Sequence, residues 1–360
     1  MKLSYKRLGD YIEPIKLRNS ELNAKELLGI NINKYFMTSV ANIVGTDLSK
    51  YKIVLKDQFA CNRMHVGRDY RIPIAISQSQ EPFMVSPAYD VFEIKNTKKL
   101  LPEYLMMWFS RSEFDRNAWF YTDADVRGGL AWQAFEDMQL PIPHPNKQRE
   151  IVNEYNTIKN RINLNNQLIQ KLEETAQAIY REWFVEGLDL ENLPEGWKMG
   201  KLSDLIEIKY GKAYSHLEEG DIPLYGSGGL MSKVNKPLYK KPSVLIPRKG
   251  TLRNIMFVNH AFWCVDTMFY SIFKDEKVGY YAYYILKQLD FEALNQGSAV
   301  PSMTTAFLND IDVVLPNQKR LNDFNEVLHK LISHKESLEN ENQKLSELKD
   351  LLLSKLATIA

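Results

Sequence analysis

The 360-residue chain has two cysteines, Cys61 and Cys264, and no long apolar run. One cysteine in each half cannot build a disulfide framework, and a cytoplasmic location fits. Arg, Glu or Lys interrupts every candidate membrane span, so no membrane role is expected. The stretch from Met1 to Arg7 lacks the apolar segment of a secretory signal. Charge of one sign is missing as well: 46 Lys and Arg against 45 Asp and Glu leave a net +1. That balance does not advertise a nucleic-acid binder and counts against one. With 44% hydrophobic and 25% charged residues the chain is globular rather than disordered. Its length suits two ordinary domains with some connecting helix.

Catalytic signatures are also absent. Gly211 and Lys212 are followed by Ala213 and lack the upstream glycine of a nucleotide-binding loop. Gly226, Ser227, Gly228 and Gly229 do not form a dinucleotide fingerprint. No Asn-Pro-Pro-aromatic or Asp-Pro-Pro-aromatic tetrapeptide exists, so no amino-methyltransferase site is visible. His329 and His334 are spaced wrongly for one helix face, there is no Cys-x-x-Cys, and no metal site is expected. One rival is a metal-dependent nuclease, because Asp90, Glu93 and Lys95, and again Asp204, Glu207 and Lys209, contain Glu-x-Lys. That triplet is frequent by chance in a chain rich in Lys and Glu. Its first carboxylate also normally comes from a separate strand.

What is present is a repeat. A short apolar run, Phe135 to Pro143, leads through Pro145 and Asn146 into a helix-like stretch ending near Trp183. Leu308 to Leu315 leads through Pro316 and Asn317 into a second one, about 170 residues later. Leu8, Asp10, Ile12 and Glu13 are echoed by Leu202, Asp204, Ile206 and Glu207. Val85 to Phe92 is echoed by Val265 to Phe273, which places Ser86 and Tyr89 with Asp266 and Phe269. The expectation is two similar domains, each mixing short strands with one or two helices.

The first long helix is expected from about Lys147 to Glu186, with Asn146 as N-cap and Gly187 as the stop. Its seam reads Ile151, Tyr155, Ile158, Ile162, Asn165, Ile169, Leu172, Ala176, Ile179 and Trp183, which is heptad spacing. A polar Asn165 within the seam fixes register at some cost in stability. The second helix starts near Gln318 with Leu321, Phe324, Leu328, Leu331, Lys335, Leu338, Asn342 and Leu345, then Leu348, Leu352 and Leu356. Each is roughly 60 Å long at 1.5 Å per residue and needs a partner for its stripe. The plainer alternative is that each helix packs only on its own domain.

In combination these features resemble the specificity subunit of Type I restriction-modification enzymes. The resemblance rests on Leu193, Pro194, Glu195, Gly196 and Trp197 followed by Leu202 and Asp204, and on residues 246–251 (Ile246, Pro247, Arg248, Lys249, Gly250, Thr251). Gln296, Gly297 and Ser298, and the Pro-Asn junction before each helix, complete it. It implies an α+β fold: two target-recognition domains of similar fold joined by two long antiparallel coiled-coil helices in a pseudo-two-fold repeat. The domains are then residues 1–145 and 198–316, the spacer helices 146–187 and 317–360, and the linker 188–197. The implied function is non-catalytic: reading a bipartite asymmetric double-stranded DNA site, one half per domain. The implied partners are DNA, two modification subunits that methylate adenine with S-adenosylmethionine, and ATP-driven restriction subunits. This chain then holds no cofactor, and Mg2+ also belongs to the partners. The alternatives are a coiled-coil scaffold without DNA specificity and the Mg-dependent endonuclease.

Seven basic residues and no acid lie between Met231 and Arg253. Arg63, Arg68 and Arg71 face only Asp69 nearby. Such loops are a phosphate footprint or simply solvated. In the second domain the candidates are Ser227, Gly228 and Gly229 for close backbone approach, Arg248, Lys249, Thr251 and Arg253 for phosphate or guanine, and Gln296 and Ser298 for bases. In the first they are Asn62, Arg63, Arg68, Ser86, Tyr89, Arg127 and Gly128. Tyr89 is more often a core aromatic. Tyr280, Tyr281, Tyr283 and Tyr284 read as core rather than as a stacking platform, and Trp183, Phe184 and Trp197 as packing at a domain–helix joint.

Overall fold

The computed structural model describes residues 5–64, 66–122, 128–291 and 303–358. It divides into two compact units, Met1–Asn165 with Asn340–Ala360, and Asn166–Glu339. Both mix helix and strand.

The first unit is organised on an antiparallel sheet in the order Ile12–Ile15, Asp90–Ile94, Phe59–Cys61, Ile74–Ile76. Successive side chains on a strand point to opposite faces. One face sends Ile12, Phe59, Cys61, Ile74, Phe92 and Ile94 into the main core. There they meet the helices Pro102–Phe109, Ser112–Phe120 and Trp132–Asp137, with Ile151 and Val152 of the first long helix. The other face sends Ala60 and Val91 into a smaller cluster with Val54, Phe83 and Val85. Because both faces are covered, the central strands are apolar on both sides. Phe59 and Phe92 stack at 5.1 Å and are fully buried, each stabilising the fold by about 1.5–3 kcal/mol.

The second unit repeats that order: Ile206–Tyr210, Met268–Phe273, Ser243–Pro247, Met256–Val258. Val244, Ile246 and Phe269 enter the core lined by the helix Gly279–Gln288, while Leu245 and Met268 enter a second cluster. That cluster is covered by a three-stranded sheet of Gly229–Val234, Glu219–Gly226 and Trp263–Cys264. The buried hydroxyls of Ser243 and Ser271 are satisfied within the sheet: Ser243 Oγ donates to the Ser271 carbonyl at 2.7 Å, and Ser271 Oγ accepts from Val244 N–H at 2.8 Å. Tyr281 and Tyr284 are buried, as core residues should be.

Strand register corrects one correspondence read from sequence. Ile12 pairs with Ile94, and its counterpart Ile206 pairs with Phe273. Phe269 therefore corresponds to Asp90, and Met268 to Tyr89, so the match of Ser86 and Tyr89 with Asp266 and Phe269 slips by one. The faces agree: Tyr89 packs on the smaller cluster, whereas Phe269 lies in the helix-covered core.

The long helices span Pro145–Phe184 and Gln318–Lys355. The first begins earlier than expected, with proline in its first turn, where a missing N–H costs nothing. Asn146 therefore lies inside the helix and is not its cap; the His144 carbonyl accepts the Lys147 N–H instead at 2.8 Å. In the second helix Asn317 is a true cap, its Oδ1 accepting from Arg320 N–H at 2.9 Å. Gly187 adopts φ +71°, open to glycine at little cost, three residues past the end of the first helix.

Within the first unit Ile151 and Val152 pack with Leu353 and Leu356. Arg161 pairs with Glu341 at 2.8 Å, and Asn165 Nδ2 donates to Asn342 Oδ1 at 3.0 Å. Within the second unit Ala176, Tyr180 and Phe184 pack with Leu321, Phe324 and Leu328, and Glu173 meets Lys335 at 2.5 Å. Ile158, Asn165 and Leu338 are buried, and Tyr155, Ile162, Ile169, Leu172, Leu331, Asn342 and Leu345 are half-buried. Leu348 departs from the expected seam: it is exposed, and Leu353 is buried in the last turns instead.

Candidate nucleic-acid interface

In each unit a basic loop leaves the third strand of the four-stranded sheet: residues 62–71 after Phe59–Cys61, and residues 248–255 after Ser243–Pro247. A strand end is a rigid root, and the loop beyond it is free to vary.

In the second unit the loop adopts a defined form. Arg248 donates to the Asp266 carbonyl at 3.2 Å and lies 5.3 Å over the Tyr210 ring. Its backbone N–H bonds Thr267 at 2.9 Å. Gly250 has φ +83°, which favours glycine, and a Cβ there would stand 2.7 Å from Ser227 Oγ, so that hydroxyl would have to turn away. The Asn254 amide donates to the Ser227 carbonyl at 2.9 Å. Ser227, Gly228 and Gly229 are thereby joined to the loop carrying Lys249, Thr251 and Arg253. Ser227 and Gly228 form the turn between Glu219–Gly226 and Gly229–Val234, with Gly229 at φ +114° opening the second strand and open space beside Gly228. Lys249, Thr251 and Arg253 are exposed, with Arg253 3.9 Å from Asp290. Gln296 and Ser298 lie outside the described residues. Sequence reasoning missed the apolar surroundings: Tyr210, Tyr214, Leu230 and Met231 are all exposed. Strand alternation puts Tyr210 on the face of the buried Ile206 and Ile208, so periodicity held no signal for its exposure at the strand end.

The first unit treats its candidates differently. Arg63 is turned inward: its Nε meets Asp90 at 2.7 Å, it donates to the Leu130 carbonyl, and its guanidinium lies 5.4 Å from the Trp132 ring. Arg68 lies in the short helix Val66–Asp69 and forks onto Asp69 at 2.7 and 3.0 Å, which raises the guanidinium above its ordinary value. Asn62 Oδ1 accepts from Met64 N–H. Gly128, at φ +59°, meets Gly67 backbone to backbone; a Cβ on either would stand 2.7 Å from the other's Cα. Its glycine thus serves chain packing. Ser86 Oγ accepts from Ala88 N–H, and the Tyr89 carbonyl accepts from Lys52. Arg127 lies outside the described residues.

The chemistry of a nuclease is not assembled. Asp90 is paired with Arg63, Glu93 accepts from Gln58 at 2.8 Å, and Lys95 donates to the Gly9 carbonyl at 2.7 Å. Asp204 accepts from the Lys201 N–H, and Glu207 pairs with Lys209. Among the described residues no group of three His, Cys, Asp or Glu is placed to hold a metal, and no helix is long and apolar enough to cross a membrane. Burial pushes the Cys264 thiol up to about 12 and raises that of Cys61 too, so neither is poised as a nucleophile.

Known proteins resemble the chain both in sequence and in fold. Residues 194–350 match the family described as Type I restriction modification DNA specificity domain. The chain is 20% identical to the Type I restriction enzyme HindI specificity subunit of Haemophilus influenzae, over 90% of this chain and 91% of that one. A shorter match, 24% identical over 23% of this chain and 22% of the relative, is to the MjaVIII specificity subunit of Methanocaldococcus jannaschii. In fold the chain is similar to the Type I restriction-modification S subunit from M. genitalium, with a TM-score of 0.62 and 16% identity, covering 98% of this chain and 96% of that one. A chain from a structure on assembly and conformational transition of the type I R-M system gives 0.53 at 17% identity, covering 98% and 97%. By the family matched over residues 194–350, by sequence along most of its length and by fold, the chain is similar to the specificity subunits of type I restriction-modification systems.

Proposed function

We propose that the chain reads a bipartite, asymmetric double-stranded DNA site, one half through each unit. The observation that carries this is the repeated strand order with a basic loop leaving the same strand in both units. Equal scaffolds with unlike loops (Arg63, Arg68 and Arg71 against Arg248, Lys249 and Arg253) are what two unlike half-sites require. Base edges are read by a few side chains, and phosphate contacts fix register. On this reading residues 1–145 and 198–316 are the two readers, 188–197 is the linker, and the helices of 146–187 and 317–360 are the spacer between them.

The chain recruits two modification subunits, which supply adenine methylation with S-adenosylmethionine, and restriction subunits that use ATP and Mg2+. The assembly works in the cytoplasm. The test is methylome mapping of a host that carries this chain with its modification partner. The expected result is methylated adenines in a two-part asymmetric motif with an unread gap; a single continuous motif, or none, rejects the reading.

A further inference from the structure

A cleft of about 360 Å³ opens in the first unit beside the 62–71 loop, and its chemistry is that of an anion site. Arg71 and Arg116 line it, with Lys34 and Asp115 at its floor. Asp115 is the one acid lining it, and it is already engaged: its Oδ1 accepts from Lys34 Nζ at 2.7 Å and from Ile72 N–H at 3.2 Å. Lys34 is held by a second bond to the Phe109 carbonyl and by the Phe114 ring at 5.3 Å, so the pair is a fixed, near-neutral floor. The two arginines remain as surplus positive charge. Arg71 touches Asn33 Oδ1 at 3.3 Å, and Arg116, 72% exposed, only brushes Glu113 at 3.5 Å.

The helix Ser112–Phe120 begins at this cleft, and no side chain caps its first turn. First-turn N–H groups and the positive end of the helix add to the field of the arginines; of the two first-turn acids, Asp115 is held by Lys34 and Glu113 is shared between Arg111 at 3.3 Å and Arg116 at 3.5 Å. Tyr70 closes one side, at φ +55° and 5.1 Å from the Trp119 ring. The volume is at the small end for a ligand site and suits a phosphodiester with a flanking sugar, not a base pair.

We propose that this cleft is the phosphate seat of the first unit: Arg71, Arg116 and the first turn of Ser112–Phe120 grip a backbone phosphate of duplex DNA. The assignment rests on the DNA reading above and moves the first unit's phosphate contact from Arg63, whose charge is spent internally, and Arg68, which forks onto Asp69, to Arg71, noted in the sequence only as part of a basic run, and Arg116, which sequence reasoning passed over.

The test uses the full chain and a labelled random-sequence duplex, with anisotropy read across a salt series. Arg71→Ala with Arg116→Ala should weaken binding roughly tenfold and lower the salt slope by about one. Lys16→Ala with Lys98→Ala, exposed residues of the same unit, should leave both unchanged. Ser112→Asp puts a carboxylate at a helix start, where it favours the helix. It should weaken DNA binding with Tm kept or raised, which separates lost binding from lost folding. Wild-type binding that neither Arg71→Ala/Arg116→Ala nor Ser112→Asp weakens overturns the seat and leaves the DNA reading standing. If the wild type ignores the duplex but pyrophosphate raises its Tm, and not that of the double variant, the seat serves a free phosphate compound and the DNA reading falls. Binding of neither probe overturns both.

Discussion

Replacing Arg63 with alanine should loosen the first unit without disarming it. The guanidinium holds three points together: Asp90 at 2.7 Å, the Leu130 carbonyl, and the face of Trp132 at 5.4 Å. These tie the strand Asp90–Ile94 to the chain that enters the helix Trp132–Asp137. A hydrogen bond between charged groups contributes about 1.5–3 kcal/mol and a cation–π contact about 0.5–1. The pair is not sealed, with side chains 18% and 29% exposed, so water recovers part of the loss around Asp90. A net cost of about 2 kcal/mol follows, within the usual range for breaking a buried network.

Two-state analysis is unsuited to a chain of two units, so the readout should be local amide exchange. Peptides covering Phe59–Cys61 and residues 128–135 should exchange roughly thirtyfold faster, at about 1.4 kcal/mol per tenfold. Affinity for duplex DNA, measured well below the unfolding temperature, should change by less than about twofold, because a group neutralised inside the protein releases no counterions from DNA. Arg63→Lys should fall between, keeping charge while losing the planar fork. Unchanged exchange with a tenfold loss of affinity would refute the argument and return Arg63 to the DNA surface.

Asn165→Ala should speed exchange around residue 165 about tenfold by removing the buried amide that donates to Asn342 Oδ1, whereas Asn165→Leu with Asn342→Leu should match or exceed the wild type in stability; a stability loss in the double variant would contradict this. Gly128→Ala should cost at least about 2 kcal/mol, since its Cβ would stand 2.7 Å from the Gly67 Cα and its φ is +59°; an unchanged Tm would show that the two backbones separate freely. Burial lowers the Lys34 ammonium below its ordinary 10.5, more than Asp115 raises it. The unfolded chain therefore binds more protons between the lowered value and 10.5, and Lys34's contribution to stability grows as pH rises through that window. Denaturation of wild type against Lys34→Met should show the difference shifting toward the wild type with rising pH; a flat difference would refute the direction. Matched insertion of whole helical turns in Pro145–Phe184 and Gln318–Lys355 should alter the gap of the methylated motif and leave its bases alone; altered bases would count against the spacer role.

The two long helices and the likeness of the two halves were legible because they depend on periodicity and repetition, which a single sequence displays. Errors arose where a distant residue decides the outcome. Pro145–Asn146 and Pro316–Asn317 look alike, yet Asn317 caps its helix and Asn146 does not, because the first helix starts one residue before its asparagine and the second one residue after. The echo of Val85–Phe92 in Val265–Phe273 was real, but its register is set by pairing with Ile12–Ile15 and Ile206–Tyr210 and came out one residue off. Arg63 and Arg71 were indistinguishable by type. What separates them is Asp90 and Leu130, 27 and 67 positions from Arg63. Arg68 is the exception, since its partner Asp69 is the next residue.

On the proposed reading, one scaffold can serve two readers. In both units the first arginine beyond the third strand is an anchor. Arg63 is tied to Asp90 and Leu130, and Arg248 to the Asp266 carbonyl and the Tyr210 ring. The basic residues farther along, Arg71 in one unit and Lys249 and Arg253 in the other, are exposed. An anchored root fixes where the loop leaves the sheet, so the outer residues can differ without cost to the core. On the proposed reading the root then belongs to stability and the outer loop to recognition. Substitutions at Arg63 or Arg248 should therefore register in amide exchange, and those at Arg71, Lys249 or Arg253 in DNA affinity.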